Sequence, residues 1–118
     1  SVGSLTFRRN MHLNEYQNQA MQTAIFPIDQ GIEYTTLGLV SEAGEVAGKV
    51  KKIIRDKGGV FDEATRKAIA DEVGDVLWYV AALSRELGYG LDSIGAQNLN
   101  KLSDRKDRGV LGGSGDNR

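Results

Sequence analysis

Residues 37–54, with the sequence LGLVSEAGEVAGKVKKII, carry apolar side chains at intervals of three and four positions. Leu39 and Val46 belong to this stripe, whose period is that of an amphipathic α-helix. The pattern continues in both directions and predicts one long helix from about Ile32 to Lys57. A pair of glycines follows immediately and is expected to end the helix. We therefore expect a helical fold organised around this segment.

Three further segments show helical periodicity, and no segment has the alternating pattern of a strand. A first helix is predicted over Leu13–Ile25. A third helix runs to Leu87 after Asp62, whose carboxylate is a favourable N-cap. Asp92 is expected to cap a shorter fourth helix. Together with the long helix, these segments predict an all-α, four-helix bundle-like protomer.

The composition is that of one globular domain. The 118 residues include 15 basic and 16 acidic side chains and no cysteine, which excludes disulfides, thiolate metal sites and cysteine nucleophiles. The net charge of −1 gives no reason to expect a nucleic-acid polymer as partner, and no apolar run approaches the ~20 residues of a membrane span. We expect a cytoplasmic protein with an N-terminal extension over residues 1–10, a helical domain over 11–108 and a glycine-rich tail over 109–118.

Each of the two long helices carries a pair of acids three positions apart. Glu42 and Glu45 form the pair on the second helix, and Glu72 and Asp75 form the pair on the third. Side chains at this spacing share one face of a helix. Glu42 and Glu72 also stand at the margin of the apolar stripes, where an unpaired carboxylate is costly to bury. The four acids are therefore unusual for a solvated helix surface.

Ion pairs along the same helix account for only one of these acids. Lys49 stands four positions after Glu45, whereas valine or tyrosine holds that position after each of the other three acids. Mg²⁺ prefers carboxylate oxygens and often bridges to substrate phosphates, so a metal site is one interpretation beside an acidic surface. Four glycines in the same helices suggest close helix approach or space for a ligand: Gly38, Gly44, Gly48 and Gly74.

Residues 37–47, LGLVSEAGEVA, and 71–79, DEVGDVLWY, resemble the signature of the MazG-type nucleotide pyrophosphohydrolases. This family belongs to the all-α nucleoside triphosphate pyrophosphohydrolases, and the resemblance covers nearly all of residues 11–108. It implies an enzyme that uses Mg²⁺, with Mn²⁺ as a substitute. It also implies a set of catalytic metal ligands formed by Glu42, Glu45, Glu72 and Asp75. It does not indicate which acid orients the attacking water.

Asn98, Lys101 and Arg105 share one face of the fourth helix through their spacing of three and four residues. Basic side chains stabilise a helix C-terminus in any case, but they can also hold a triphosphate opposite an acid cluster. The MazG-type family has a similar Asn-x-x-Lys-x-x-x-Arg run, and this resemblance favours phosphate binding. Lys52 is a further predicted phosphate-binding residue. The tail over 112–118 is either a loop or a phosphate nest.

The first helix offers side-chain amides to a nucleobase. Gln17 and Gln19 can each pair with a base edge, and Tyr79 shares the helix face of Glu72. Nothing in the sequence chooses among these three residues for base recognition.

Together with these features, the resemblance to the MazG-type family implies Mg²⁺-dependent hydrolysis of nucleoside and deoxynucleoside triphosphates to the monophosphate and pyrophosphate, as a house-cleaning of the nucleotide pool. A narrower substrate stays open: dUTP, dCTP, phosphoribosyl-ATP or an alarmone. A different class of function is a non-catalytic helical oligomerisation or regulatory module. The apolar run from Val76 to Leu83 predicts a homo-oligomer, either a dimer or a tetramer, that buries Leu77, Trp78, Val80 or Ala81.

Overall fold

A computed structural model describes residues 7, 9–110 and 112 of the chain. Its architecture is all-helical, with no strand in the described residues. The four α-helices are α1 (Leu13–Met21), α2 (Gly31–Asp56), α3 (Glu63–Glu86) and α4 (Leu91–Asp107), and a 3₁₀ turn at Ile28–Gln30 precedes α2. In this part of the chain, no helix is both long and apolar enough to cross a membrane. The predicted all-α class with four helices is confirmed.

The helices α2 and α3 form an antiparallel hairpin, which is the most extensive helix contact in the molecule. Gly58 and Gly59 reverse the chain between them, with φ angles of 61° and 74° that favour glycine. The N-cap of α3 is Asp62, as predicted, and its Oδ1 accepts the N–H of Thr65 at 2.8 Å. This hairpin fixes the two acid pairs opposite each other.

Close helix approach occurs at Gly38. A Cβ atom at this position would overlap the ring of Tyr79, so the hairpin requires a glycine here. Gly44, Gly48 and Gly74 instead face open space, with no neighbouring atom within 4 Å of an added Cβ. Of the two explanations suggested by the sequence, close approach therefore applies to Gly38, and open space applies to the other three glycines.

The helices α1 and α4 meet at the C-terminal end of α3. Gln17 is buried at this junction, with 6 % of its surface exposed. Its Nε2 donates to the carbonyl oxygens of Ala81 at 3.0 Å and Tyr89 at 3.2 Å, and its Oε1 accepts the N–H of Leu91 at 3.1 Å. One side chain of α1 thus joins the end of α3 to the start of α4.

The end of α1 differs from the prediction, because the helix stops at Met21 and not at Ile25. The carbonyl oxygen of Ala20 accepts both the N–H of Thr23 at 3.0 Å and its hydroxyl at 2.7 Å. These short-range hydrogen bonds replace the bond that a continuing α-helix would make at this carbonyl.

The start of α4 also differs, since its N-cap is Gly90 and not Asp92. Side chains of α1 supply the missing cap. Asn14 Oδ1 accepts the N–H of Asp92 at 2.8 Å, beside the contact that Gln17 makes. The first N–H groups of α4 are therefore satisfied by a neighbouring helix and need no local carboxylate.

The protomer buries few apolar side chains of its own. Among the described residues, the buried hydrophobic positions are Ala20, Ile53, Ala81, Ala82 and Leu91. The radius of gyration is 17.3 Å, whereas a compact chain of this length would have about 13.5 Å. The helix α4 packs on α1 and α3, with no packing on α2 in the described region. The protomer is thus more open than a closed four-helix bundle.

Candidate metal centre and adjoining pockets

Three of the four predicted acids meet in the middle of the hairpin. Glu42 comes from α2, and Glu72 and Asp75 come from α3, where their spacing of three residues directs them to one face. One carboxylate oxygen of each lies within 4.8 Å of the other two. Glu42 and Glu72 are half-buried, whereas Asp75 is exposed. This acid cluster is therefore accessible to a ligand.

Glu45 lies outside the acid cluster. It is exposed on α2, about one turn beyond Glu42. Its negative charge nevertheless reaches the cluster, since it is one of the causes that raise the pKa of Glu42. The role of Glu45 as a metal ligand stays a prediction.

The acid cluster holds an excess of negative charge. Burial raises the pKa of the Glu42 carboxyl above its ordinary value, and the charges of Asp75, Glu72 and Glu45 raise it further. A counter-charge comes from the Lys49 ammonium, whose Nζ lies 3.7 Å from Glu72 Oε1. This pair is partly exposed and loose, so it offsets only part of the repulsion.

This set of donors fits a hard divalent cation. Mg²⁺ binds carboxylate oxygens and keeps several waters, so three acids that are open on one side suit it, and Mn²⁺ accepts the same ligand type. A cation among them would also relieve the repulsion that raises the pKa of Glu42. The residues that would hold it are Glu42, Glu72 and Asp75.

A cleft of about 350 Å³ opens beside the acids, and we call it the acidic cleft. It is lined by Glu42 and Asp75 together with Thr23, Trp78 and Tyr79. Trp78 is fixed in place by its Nε1, which donates to Thr23 Oγ1 at 2.9 Å, and by edge-on packing against Tyr79 at 4.9 Å between ring centroids. The acids therefore face a rigid aromatic surface.

An apolar pocket of about 300 Å³ adjoins the acidic cleft, because Thr23 and Trp78 line both. Its remaining lining comes from α1 and the segment before it: Phe7, Met11, Tyr16, Gln19 and Ala20. Aromatic and apolar walls with a few polar groups are typical of sites for small organic ligands. This apolar pocket is large enough to receive part of a nucleotide.

A third concavity, the lysine cleft, has a volume of about 170 Å³ and lies toward the hairpin turn. Its lining consists of Lys49, Lys52, Ile53, Asp56, Lys57, Thr65 and Ala68. The Asp56 carboxylate already binds the neighbouring Arg55 guanidinium through hydrogen bonds of 2.7 and 2.9 Å. The three lysines therefore give this cleft a net positive charge, and one of them is the predicted phosphate-binding Lys52.

The predicted phosphate-binding residues of α4 differ in exposure. Asn98 and Lys101 are exposed, whereas Arg105 is buried with 5 % of its surface accessible. Arg105 is therefore not part of a solvated helix end. Its burial is local, because Asn98, one heptad earlier on the same face, is exposed. Phosphate binding by this face stays a prediction.

The three predicted base-recognition residues have different environments. Both amide N–H donors of Gln17 bond to backbone carbonyls, so the structure gives this residue a role in the fold instead of base recognition. Gln19 lines the apolar pocket, and Tyr79 lines the acidic cleft. Burial raises the pKa of Tyr79, and its hydrogen bond with Tyr34 raises it further, so its hydroxyl stays protonated. A base contact by Gln19 or Tyr79 stays a prediction.

Sequence reasoning missed two residues of this region. Thr23 anchors the Trp78 indole and lines both the acidic cleft and the apolar pocket. Tyr16 lines the apolar pocket, and its pKa is raised by burial and then by the negative charge of Asp75. The available signal was helical spacing, since positions 16, 20 and 23 fall on one face of the first helical segment.

Comparison with known proteins matches residues 30–110 to the MazG nucleotide pyrophosphohydrolase domain. This segment contains α2, α3, α4 and all four predicted acids. The "Gene 37 protein" of Mycobacterium phage L5 is 52 % identical over 114 residues, which cover 92 % of this chain and 100 % of the phage protein. No solved structure shows significant similarity. With its acid cluster inside the matched segment, the chain belongs to the family of MazG nucleotide pyrophosphohydrolase domains.

Proposed function

We propose that this protein hydrolyses nucleoside triphosphates, in a reaction that requires Mg²⁺, to a nucleoside monophosphate and pyrophosphate. Membership of the MazG family supports nucleotide pyrophosphohydrolysis. The observation that carries the proposal is the convergence of Glu42, Glu72 and Asp75 within 4.8 Å. Three facing carboxylates would repel a triphosphate unless a cation stood between them, and this explains the metal requirement.

In the proposed reaction, water attacks the α-phosphorus and the bond from this phosphorus to the bridging oxygen of the β-phosphate breaks. Pyrophosphate leaves with the electron pair. Mg²⁺ bound at the acid cluster would neutralise phosphate charge and acidify a water molecule. The rigid hairpin holds Glu42 and Asp75 at the rim of the acidic cleft, which supplies positioning. No covalent bond to the protein is needed.

The phosphates need cations on their other side. Lys52 lines a cleft of the same hairpin that carries the acids. Asn98, Lys101 and Arg105 belong to α4, which packs on α1 and α3. We propose both groups as phosphate contacts, with Lys52 better placed within one protomer.

We also propose that the protein works as a homodimer or tetramer. The open protomer exposes apolar side chains on both hairpin helices, among them Leu37 with 71 %, Val40 with 67 % and Leu77 with 37 % of their surface accessible. Exposed apolar surface of this kind is typical of an interface. Ala81 is fully buried within the protomer and cannot contribute to it. Light scattering at micromolar concentration tests this proposal, and a folded, active monomer would contradict it.

The proposed activity is tested by assaying pyrophosphate release over a panel of substrates. The panel holds the ribo- and deoxynucleoside triphosphates, phosphoribosyl-ATP and a guanosine alarmone, each with Mg²⁺, with Mn²⁺ and with a chelator. We expect the monophosphate and pyrophosphate as first products with either metal and no turnover with the chelator. Orthophosphate as the first product would overturn the mechanism. Metal binding without turnover of any substrate would leave a non-catalytic helical module.

A further inference from the structure

A further pocket lies where α1 meets the C-terminal end of α3, and we call it the junction pocket. Its volume is about 380 Å³. The lining comes from α1, from the last turn of α3 and from the turn before α4, and it includes Gln17, Asn18, Met21, Arg85, Gly88 and Tyr89. None of the described lining residues is shared with the acidic cleft, the apolar pocket or the lysine cleft.

The junction pocket is separate from the acid cluster. Asp75 and Arg85 are ten residues apart on α3, which is about 15 Å along the helix axis. On α1, positions 17, 18 and 21 line the junction pocket, whereas positions 16, 19 and 20 line the apolar pocket. At about 100° per residue, these two sets face different sides of the helix. A ligand at the acid cluster therefore leaves the junction pocket open.

Backbone hydrogen bonds hold the walls of the junction pocket in place. Gln17 donates to the carbonyl oxygen of Tyr89 at 3.2 Å and accepts the N–H of Leu91 at 3.1 Å. From the other side, the Tyr89 N–H donates to the carbonyl oxygen of Ser84 at 2.8 Å. Gly88 permits this turn with a φ angle of 86°, which favours glycine. The pocket is therefore formed before a ligand binds, as is usual for small-molecule sites.

Arg85 gives the junction pocket a positive charge, and none of the described lining residues is an acid. The guanidinium has one loose contact, in which its Nε lies 3.8 Å from Glu86 Oε2. The Glu86 carboxylate is directed toward the start of α2, where a Cβ atom added to Gly31 would overlap it. A partly exposed pair at this distance is weak, so the planar face of donors on Arg85 is available to a ligand.

The charge of the junction pocket favours a carboxylate over a phosphate. None of its described lining residues is a lysine, so one guanidinium faces the ligand. The N–H groups at the start of α4, which could otherwise bind phosphate, already have partners, since Leu91 donates to Gln17 and Asp92 donates to Asn14. A single guanidinium matches a single carboxylate in charge and in its planar, two-point geometry.

The remaining lining is suited to the body of such a ligand. Met21 offers an adaptable thioether, and the Tyr89 ring, which is 48 % exposed, offers an aromatic face. The exposed Asn18 amide can donate or accept one further hydrogen bond. The pocket thus combines one cationic group with apolar surface and one neutral polar group.

We propose that the junction pocket binds a monocarboxylate with an apolar or aromatic body, through Arg85 and Asn18 at the carboxylate and Met21 and Tyr89 at the body. This site is additional to the acid cluster and does not depend on the proposed hydrolysis. A free small molecule and the C-terminal residue of a peptide are two sources of this chemistry.

Titrations of the full chain followed by NMR test the site with three probes: benzoate, its neutral analogue benzamide, and phenyl phosphate. We expect benzoate to shift the Arg85 Nε–H, the Asn18 side-chain amide and the backbone amide of Gly88. Benzamide should bind roughly tenfold more weakly, as loss of one charge-assisted contact does. N-acetylphenylalanine distinguishes the sources, since tighter binding than benzoate at the same residues indicates a peptide C-terminus, and weaker binding indicates a small molecule.

Arg85→Gln and Arg66→Gln form the matched pair of variants, because both arginines are exposed on α3 and only Arg85 lines the junction pocket. Arg85→Gln should weaken benzoate roughly tenfold and leave benzamide unchanged, and Arg66→Gln should change neither. Equal losses in the two variants, or no shift at millimolar benzoate, would overturn the site. Tighter binding of phenyl phosphate than of benzoate would overturn the carboxylate. Displacement of benzoate by a triphosphate with a methylene bridge between its α- and β-phosphorus would contradict a separate site.

Discussion

Polar side chains have opposite environments at two places along α3, its C-terminal end and its middle. At the junction with α1 and α4, Gln17 is neutral and buried, and its amide bonds to two carbonyl oxygens and one N–H group. At the acid cluster, Glu42, Glu72 and Asp75 face one another, and the counter-charge that the described residues bring is the loose contact from Lys49. Among the described residues, the junction satisfies its polar groups, whereas the acid cluster keeps an excess of negative charge.

This difference in hydrogen bonding separates residues that stabilise the fold from residues that are suited to bind a ligand. A buried amide with all its N–H donors bonded adds specificity to helix packing. The acid cluster, in which the charges of neighbouring acids raise the pKa of Glu42, is destabilising until a cation binds. The same helix α3 thus carries a structural junction near Ala81 and an incomplete site near Asp75.

Neutralising one acid of the cluster should have the largest effect. Glu42→Gln and Asp75→Asn are each expected to lower turnover by on the order of 10²-fold or more, because each removes a charged metal ligand. Helicity should persist, and the melting temperature without metal should hold or rise as repulsion is relieved. Glu45→Gln, outside the cluster, should cost less turnover. A Glu42→Gln enzyme with near-normal turnover would remove that acid from the ligand set.

Disrupting the junction around Gln17 should lower the free energy of unfolding and leave the rate of turnover nearly unchanged. Gln17→Leu leaves the carbonyl oxygens of Ala81 and Tyr89 and the N–H of Leu91 without their partner, and we expect a loss of about 3 kcal/mol in the free energy of unfolding. Urea denaturation measures this change. Gln19→Leu, on the same helix but without a buried network, is the matched control and should be near neutral. Equal losses in the two variants would contradict the role assigned to Gln17.

Mg²⁺ should stabilise the protein through the acid cluster and not through the Gln17 junction. Mg²⁺ at a hundred times its dissociation constant would add about 2.7 kcal/mol to the free energy of unfolding, since it binds the folded state alone. Thermal melts with and without Mg²⁺ should therefore separate for the wild type and for Gln17→Leu, and coincide for a Glu42→Gln, Asp75→Asn double variant. A Mg²⁺ shift that survives in the double variant would place the cation elsewhere.

The smallest effect is expected at the turn of the hairpin, where Asp62 is charged but satisfied. The hydrogen bonds from Thr65 lower the pKa of Asp62, so its contribution to stability is present above its ordinary pKa and is lost as the pH falls through the lowered value. Asp62→Ala should lower the melting temperature slightly at pH 7, and the difference should shrink below about pH 4. Asp62→Asn keeps a cap without the charge and should show less pH dependence. A difference that does not change with pH would contradict this account.

The sequence predicts the helices and the acid pairs because both depend on local spacing. The stripe of α2, the cap at Asp62 and the i, i+3 acids on two helices need no tertiary information. The distinction between Gln17 and Gln19 does need it, since both are amides on one short helix and only their neighbours differ. Arg105 is a similar case, because helical spacing gives its face but not what covers that face.

The openness of the protomer could not be predicted either. Apolar periodicity shows which face of a helix is expected to be buried, but it does not show which helix or subunit packs against that face. Val40 belongs to the same apolar stripe as Leu39, yet only Leu39 is partly covered within the hairpin. The start of α4 was predicted wrongly for the same reason, because its cap depends on a neighbouring helix. Asn14 of α1 replaces the cap that Asp92 was expected to give.

Trp78 gives this protein an intrinsic optical probe. It is the one tryptophan of the chain, and it lines both the acidic cleft and the apolar pocket. Its indole is bonded to Thr23 and packed against Phe26 and Tyr79. The ring therefore has one environment, and its emission spectrum reports on that environment. Filling the apolar pocket would exclude water from one face of the ring and shift its fluorescence. Binding of a ligand in this pocket can thus be followed in real time without attaching a label.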